Sequence, residues 1–281
     1  MAEISVIVST YNLPRHLHRC LLALEHQTHP AFEVIVADDG SAHETGTTID
    51  GFAKTSRRTI KHVWQEDRGF RKTRILNKAI LAAAGEYLVF IDGDCVAHPD
   101  FVREHAQNAK PGHYLNGSLI RLDQGLTERI TDQVIIDGQA FQSGWLTRQG
   151  RRFDRRYLRL TLPYGLRCRL NDASPTRLYW LGSNSSCYRD DAVAVNGFDN
   201  RFGYGFEDAD FGSRLEMRRV EARTVRWTAV LLHLWHAKPW SASETIRANR
   251  KLRDENLALN RCRAVDGLDE ISARNRSDGQ A

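Results

Sequence analysis

Four short apolar runs punctuate the first hundred residues, and each closes on a polar cluster. Residues 4–9 are β-branched and bounded by Tyr11, Asn12 and Pro14. Residues 32–37 end in Asp38-Asp39-Gly40-Ser41, residues 59–65 form a third run, and residues 86–91 end in Asp92-Gly93-Asp94. Near-continuous apolar runs of this length predict strands buried on both faces. Between the first two, Leu17, Cys20, Leu21 and Leu24 recur at helical spacing, and residues 71–84 predict a helix closed by Gly85 as its C-terminal cap. Strand–helix alternation of this kind predicts an α/β fold with a mostly parallel central sheet and helices on both faces. Ligands of such sheets bind beyond the carboxyl ends of the strands. Thr10-Tyr11-Asn12, Asp38-Asp39 and Asp92-Gly93-Asp94 are therefore expected on one edge.

The pattern is looser further on. Residues 110–178 are less regular, with an arginine-rich stretch at 151–169 interleaved with Phe153, Tyr157 and Tyr164. Residues 179–188 look ordered, Asn196-Gly197-Phe198-Asp199 reads as a turn, 207–219 as a helix and 225–236 as a strand followed by a turn. A helix carrying Ile246, Leu252 and Leu257 is expected over 241–264, and the polar tail from about Ser272 is expected to fray.

Composition narrows this modestly. A chain of 281 residues accommodates one large domain with a full core. A net charge of +5, spread rather than clustered, suits phosphates of a nucleotide, a nucleic acid or an anionic membrane without choosing among them. Arginine interleaved with aromatics can bind single strands, but no recognised binding motif accompanies it, so nucleic acid is not expected as a partner. Five cysteines without CxxC spacing argue against a zinc module or a disulfide scaffold and suit a reducing compartment. No leader pattern and no apolar stretch of about 20 residues occurs, so a cytoplasmic protein is expected. Contact with a membrane surface stays open, through the 151–169 stretch and the helix bearing Arg247, Arg250 and Lys251.

Several clusters can carry chemistry, and each has a plainer explanation. Asp92 and Asp94, two apart, fall on one side of an extended strand, and Gly93 lets a bulky ligand approach. Hard oxygen ligands suit Mg²⁺ or Mn²⁺ with substrate phosphates; the plainer explanation is a solvated acidic turn. Asp38 or Asp39 can accept the imide N–H of a pyrimidine base, or simply end a strand. His233 and His236 face one ion if they lie in a helix or tight turn and opposite faces if they lie in a strand. Imidazole would favour Mn²⁺, whereas a buried histidine bonded to backbone is the plainer assignment for at least one. Glu207, Asp208 and Asp210 complement a helix dipole, or supply a general base beside Tyr204, whose ring can stack on a sugar.

Taken in order, these motifs resemble the family 2 glycosyltransferases of the GT-A fold. The matching residues are Val8-Ser9-Thr10-Tyr11-Asn12, Val36 to Ser41, Arg74 with Asn77, and Ile91-Asp92-Gly93-Asp94. Residues 196–210 and His236 resemble the C-terminal region of β-1,4-galactosyltransferases and bacterial chondroitin polymerases. The resemblance implies a Rossmann-like GT-A domain with a nucleotide-sugar-binding half at 1–110, an acceptor-binding and catalytic half at 111–240, and a helix with polar tail at 241–281. It implies that Thr10, Tyr11, Asn12, Asp38, Asp39, Arg74, Asn77, Asp92 and Gly93 bind a UDP-sugar donor, with fixed positive charge from Arg74 or the 151–169 arginines. Asp94 and His236 would ligate Mn²⁺ or Mg²⁺, and His233 stands where the galactosyltransferases carry a methionine. Asp208 matches the base, Glu207 an acceptor-binding carboxylate, and Tyr204 replaces a tryptophan. The implied reaction is inverting, metal-dependent transfer to a hydroxyl of a glycan or lipid-linked saccharide in surface polysaccharide or lipopolysaccharide synthesis. The competing expectation is a nucleotide-sugar or glycan-binding protein without turnover.

Overall fold

The computed structural model describes residues 3–150, 154–173, 179–237 and 243–278. A seven-stranded sheet forms its centre. It is built from β1 (Ile4–Thr10), β2 (Glu33–Asp38), β3 (Ile60–Trp64), β4 (Tyr87–Asp92), β6 (His113–Asn116), β8 (Asn184–Tyr188) and β9 (Glu221–Thr224), in the order β3-β2-β1-β4-β8-β6-β9. The first four strands are mutually parallel, β8 runs antiparallel to β4 and β6, and β6 is parallel to β9. A small second sheet joins β5 (Cys95–Ala97), β7 (Ser118–Arg121) and β10 (Val230–His233) in the order β5-β10-β7. The mostly parallel α/β architecture expected from the apolar runs is the one observed.

Alternation along the strands builds two cores. Val6, Val8, Val34, Val36, Val89 and Ile91 face Leu17, Leu21 and Leu24 of the Pro14–Glu25 helix. Ile7, Ile35, Leu88 and Phe90 face Ile75, Ala79 and Ile80 of the Lys72–Ala82 helix, with Trp180, Phe198 and Phe211. Register then decides where function can sit. Thr10 pairs with Asp38 and Ser9 with Asp92, so the exits of β1, β2 and β4 lie level on one edge.

Three expectations need correction. Gly85 is not a left-handed helix cap: its helix ends at Ala82 and Ala83 is extended. A Cβ at Gly85 would lie 2.6 Å from the Ser5 backbone nitrogen, so close approach to β1 is what requires glycine there. The irregular middle holds β6, β7 and a run of short helices, including Gln124–Arg129, Ser143–Arg148 and Tyr164–Asp172. The polar tail is also helical, over Leu268–Asp278, because Leu268 and Ile271 are buried, Leu268 in the core beside the Lys72–Ala82 helix. Two apolar positions are too few to register as a periodic signal. Residues 151–153, 174–178, 241–242 and 279–281 of the predicted segments lie outside the described residues.

Candidate active site

A cleft of about 810 Å³ opens at the carboxyl edge of β1, β2 and β4. Its floor is the strand exits Thr10, Tyr11, Asn12, Asp39, Asp92, Gly93 and Asp94; its far wall is Trp180, Tyr204, Phe206, Glu207 and Asp208; and His233 and His236 close a third side. Among the described residues, no helix is long and apolar enough to cross a membrane.

At one end the loops after β1 and β2 are stitched together. The Asn12 amide N–H donates to Ser41 Oγ at 2.9 Å, and the Ala42 N–H donates to Asn12 Oδ1 at 2.7 Å. The two aspartates divide their work. Asp38 is buried, accepts the Ser41 N–H at 2.8 Å and meets His62 at 3.1 Å, so it shapes the turn and does not line the cleft. Asp39 lines the cleft and accepts Gln65 Nε2 at 2.6 Å and the Arg71 N–H at 2.8 Å. Burial raises its pKa, which these two donors oppose. Thr10 Oγ1 is buried there with no hydrogen-bond partner.

The Asp92-Gly93-Asp94 turn sends its carboxylates to different neighbours. Asp92 Oδ1 accepts both Ser9 Oγ and Lys72 Nζ at 2.6 Å. Asp94 Oδ2 lies 2.9 Å from His236 Nε2 and 3.6 Å from His233 Nε2. One ligand atom from each of Asp94, His233 and His236 falls within 4.8 Å of the others. The two histidine alternatives resolve because β10 stops at His233 and residues 234–237 run on as irregular chain, which brings the ring centroids to 5.5 Å with 27° between the planes. His236 Nδ1 meets the Ala237 carbonyl at 2.8 Å, and a carbonyl only accepts, so Nδ1–H donates there; with Nε2 2.9 Å from the Asp94 carboxylate the ring bridges two acceptors, and an ion bound here would take the place of the Nε2 proton. Burial alone would raise the Asp94 pKa, but the His236 hydrogen bond, both imidazoles and the Cys95 thiol outweigh it and hold it at about 2. Gly93 serves packing: a Cβ would meet Ser9 O at 3.1 Å and Thr10 Cβ at 3.2 Å, so the missing side chain makes room for β1 rather than for a ligand.

The Glu207–Met217 helix carries the third group. It is anchored by Asp210, which binds Arg214 Nε at 2.8 Å and accepts Asn256 Nδ2 at 2.8 Å. At its start Asp208 Oδ2 accepts the Gly182 N–H at 3.1 Å, while Asp208 Oδ1 and Glu207 Oε2 are buried without partners. A Cβ at Gly182 would lie 2.3 Å from Asp208 Oδ1, so glycine is what lets the carboxylate rest over that loop. Burial and then the neighbouring Asp208 raise the Glu207 pKa to about 7. Burial, with Asp92 nearby, raises Asp208 as well, and Lys72 opposes both. Burial disfavours the Lys72 cation, yet Asp92, Asp208 and Glu207 together hold its pKa well above the ordinary lysine range.

Not every residue picked from sequence reaches the cleft. Asn77 is fully buried and spent on Phe198, whose N–H it accepts at 2.8 Å and whose carbonyl it bonds at 2.7 Å. Arg74 is not a lining residue, nor is any residue of 154–169. That stretch packs elsewhere: Tyr164 OH donates to Glu104 at 2.9 Å, and Arg159 lies over the Trp227 ring at 5.9 Å. Tyr204 does line the cleft, edge-on to Phe70 at 5.5 Å. Lys72, Phe70, Trp180 and Arg121 line it too, and sequence reasoning missed them. Lys72 had a signal. Arg71 and Lys72 open a helix whose first turn has no acidic residue, against the dipole preference, which suggests an anion from elsewhere.

A doubly covered, mostly parallel sheet with an acidic, metal-capable cleft at its carboxyl edge defines a Rossmann-like transferase domain of the GT-A type. The chain belongs to glycosyl transferase family 2, whose pattern matches residues 5–168; the N-terminal domain of galactosyltransferase matches residues 172–237. Validoxylamine A glucosyltransferase of Streptomyces hygroscopicus subsp. jinggangensis is 29% identical over 236 residues, covering 77% of this chain and 52% of its own. The putative glycosyltransferase EpsH of Bacillus subtilis is 35% identical over 106 residues, which are 38% of this chain and 30% of EpsH. This chain thus spans about half or less of these relatives. Among solved structures, S. aureus TarS 1-349 in complex with UDP-GlcNAc superposes with a TM-score of 0.61 at 17% identity, covering 95% of this chain and 69% of that one. The mannosyltransferase PcManGT of Pyrobaculum calidifontis, in complex with GDP-Man and Mn²⁺, gives 0.59 at 19%, covering 92% and 64%. At these identities the likeness is one of fold.

Proposed function

We propose that this chain transfers a sugar from a UDP-sugar to a hydroxyl of a glycan or lipid-linked saccharide in surface polysaccharide or lipopolysaccharide synthesis, with inversion at the anomeric carbon. The observation that carries the reading is the unpartnered Asp208 carboxylate oxygen, buried in a cleft that also holds the Asp94, His233 and His236 triad. Residues 1–110 would form the donor half, 111–240 the acceptor and catalytic half of the same domain, and 241–281 the C-terminal helix and polar tail. The bound nucleotide sugars of TarS and PcManGT support a nucleotide-sugar donor.

One oxygen and two imidazole nitrogens fit Mn²⁺, with Mg²⁺ the less suited alternative. When bound by Asp94, His236 and His233, the ion supplies positive charge to the departing diphosphate. The rest falls to side chains. Thr10, Tyr11, Asn12 and Asp39 hold the nucleoside, and Asp92, oriented by Lys72 and Ser9, faces the ribose and sugar. Asp208, fixed by the Gly182 N–H, takes the acceptor hydroxyl proton as its oxygen attacks C1, and the nucleoside diphosphate leaves from the opposite face. Glu207 and Tyr204 position the acceptor. Exposed Arg155, Arg156 and Arg169, with exposed Tyr164 and Leu166, are suited to peripheral contact with an anionic inner membrane surface in the cytoplasm.

Calorimetry of UDP, dTDP and GDP, with and without Mn²⁺, tests the donor site, with Asp94→Asn alongside. Metal-dependent UDP binding lost in the variant is the expected result. Absence of binding by any nucleotide overturns the reading. Slow hydrolysis of a UDP-sugar that depends on Asp208 separates an enzyme from a binding module, and NMR of the product anomer checks inversion.

A further inference from the structure

Phe206 joins the Tyr204 turn to the helix bearing Glu207 and Asp208, and it does so at φ 70° and ψ −8°. A bulky residue in the left-handed region costs about 1–2 kcal/mol, so its surroundings must hold it there. The Ser243–Ala258 helix does so. Asn249 Nδ2 donates to the carbonyls of Tyr204 at 3.1 Å and Gly205 at 2.7 Å. The same helix sets Arg250 over the Phe206 ring at 5.4 Å and Arg253 at 5.2 Å. Ile246, one turn before Arg250, lines the cleft beside Phe206.

The two arginines differ. Arg253 donates to the Asp254 carboxylate at 2.8 Å. Arg250 is exposed, and among the described residues no carboxylate pairs with it. Its guanidinium carbon lies over an aromatic ring at 5.4 Å, within cation–π range, a contact that leaves the N–H donors available. Beside it stand Tyr204, Phe206 and Ile246, apolar faces on which a sugar ring packs. The reacting end of the cleft, by contrast, is acidic, with Asp92, Glu207 and Asp208 against Lys72. A negative charge next to the attacking hydroxyl would be repelled there. Arg250 does not itself line the cleft but stands 5.4 Å from the ring of Phe206, which does, so a negative charge carried outward past that ring meets it.

We propose that the acceptor saccharide carries an anionic group, a phosphate ester or a carboxylate, placed away from its reacting hydroxyl and bound by Arg250 on the Phe206 ring. This names the acceptor class of the transfer proposed above and rests on that reading.

The test is a transfer assay with matched acceptors. Methyl glycosides of glucose, galactose and N-acetylglucosamine are compared with their 6-phosphates, their uronates and their alkyl diphosphate esters, and kcat and KM are measured separately. At least one anionic form is expected to show a KM roughly tenfold below its neutral parent, the size of one charge-assisted contact; which arm wins identifies the anion. Arg250→Glu erases or inverts that preference. Lys251→Glu, the same charge change about 100° further round the helix, leaves it in place. Neutral acceptors that match the anionic ones overturn the proposal, as does an equal loss of preference in both variants. Donor hydrolysis needs no acceptor and separates the two readings. A protein that hydrolyses no nucleotide sugar refutes transfer and this proposal together; one that hydrolyses but is blind to acceptor charge refutes this proposal alone.

Discussion

Replacing Lys72 by methionine keeps the length of the side chain and removes its charge from the centre of the cleft. Lys72 Nζ sits 2.6 Å from Asp92 Oδ1, with the two side chains 18% and 24% exposed. The gross attraction at that distance is about 6 kcal/mol for an effective dielectric of about 20, largely offset by dehydration. Removing one partner of a buried pair costs about 3–5 kcal/mol, and partial exposure places this pair near the lower figure. A loss of about 3 kcal/mol corresponds to a fall of roughly 6–12 °C in Tm for a chain of this size. The effect on rate is separate. Burial raises Glu207 to about 7 and lifts Asp208, while Lys72 pulls both down. A base works when ionised, so activity falls as pH drops through the apparent pKa of the pair. Without Lys72 that acid limb moves to higher pH. Profiles of kcat/KM between about pH 5 and pH 9, with thermal melts, read both effects. An acid limb in the same place and an unchanged melt in Lys72→Met would refute the argument.

Asp208→Asn keeps an acceptor for the Gly182 N–H but takes no proton, so kcat should fall about 10²–10⁴-fold while UDP binding by calorimetry persists; a fully active variant would remove Asp208 as the base. His236→Ala should weaken Mn²⁺-dependent UDP binding by about tenfold or more, and more than His233→Ala, since His236 lies closer to Asp94 at 2.9 Å against 3.6 Å. Equal, metal-independent binding by both variants would count against the triad. Gly85→Ala forces a Cβ to within 2.6 Å of the Ser5 nitrogen and should cost about 1–3 kcal/mol in a denaturant melt without changing the metal response.

Strand exits were legible in the sequence because parallel strands buried on both faces write continuous apolar runs, and the residues after each run must then share an edge. What those residues do there was harder to read. Asp38 and Asp39 look equivalent as letters, yet successive residues leaving β2 point to opposite sides, which sends one into the loop and the other to the cleft. Asn77 looks like a polar group one turn into a helix, but its amide is spent on Phe198, far along the chain. The choice between one ion and two opposite faces for His233 and His236 depends on where β10 stops, and propensity does not fix that. Lys72 left only a faint signal, a helix start without an acidic residue, because its partner Asp92 comes from a strand 20 residues further on.

The small sheet has a consequence for when the protein becomes competent. Asp94 sits just before β5 and His236 just after β10, and those strands pair, with the Leu234 N–H donating to Asp94 O at 2.9 Å. One ligand comes from residues 5–168, the other two from residues 172–237. A chain emerging from the ribosome therefore finishes β1 to β4, the parallel half of its large sheet, long before the triad can assemble. An ion bound across β5 and β10 would act as a clasp on the last long-range pairing, stabilising the closed protein in proportion to the logarithm of its concentration. Chains that end before β10 lack two of the three groups.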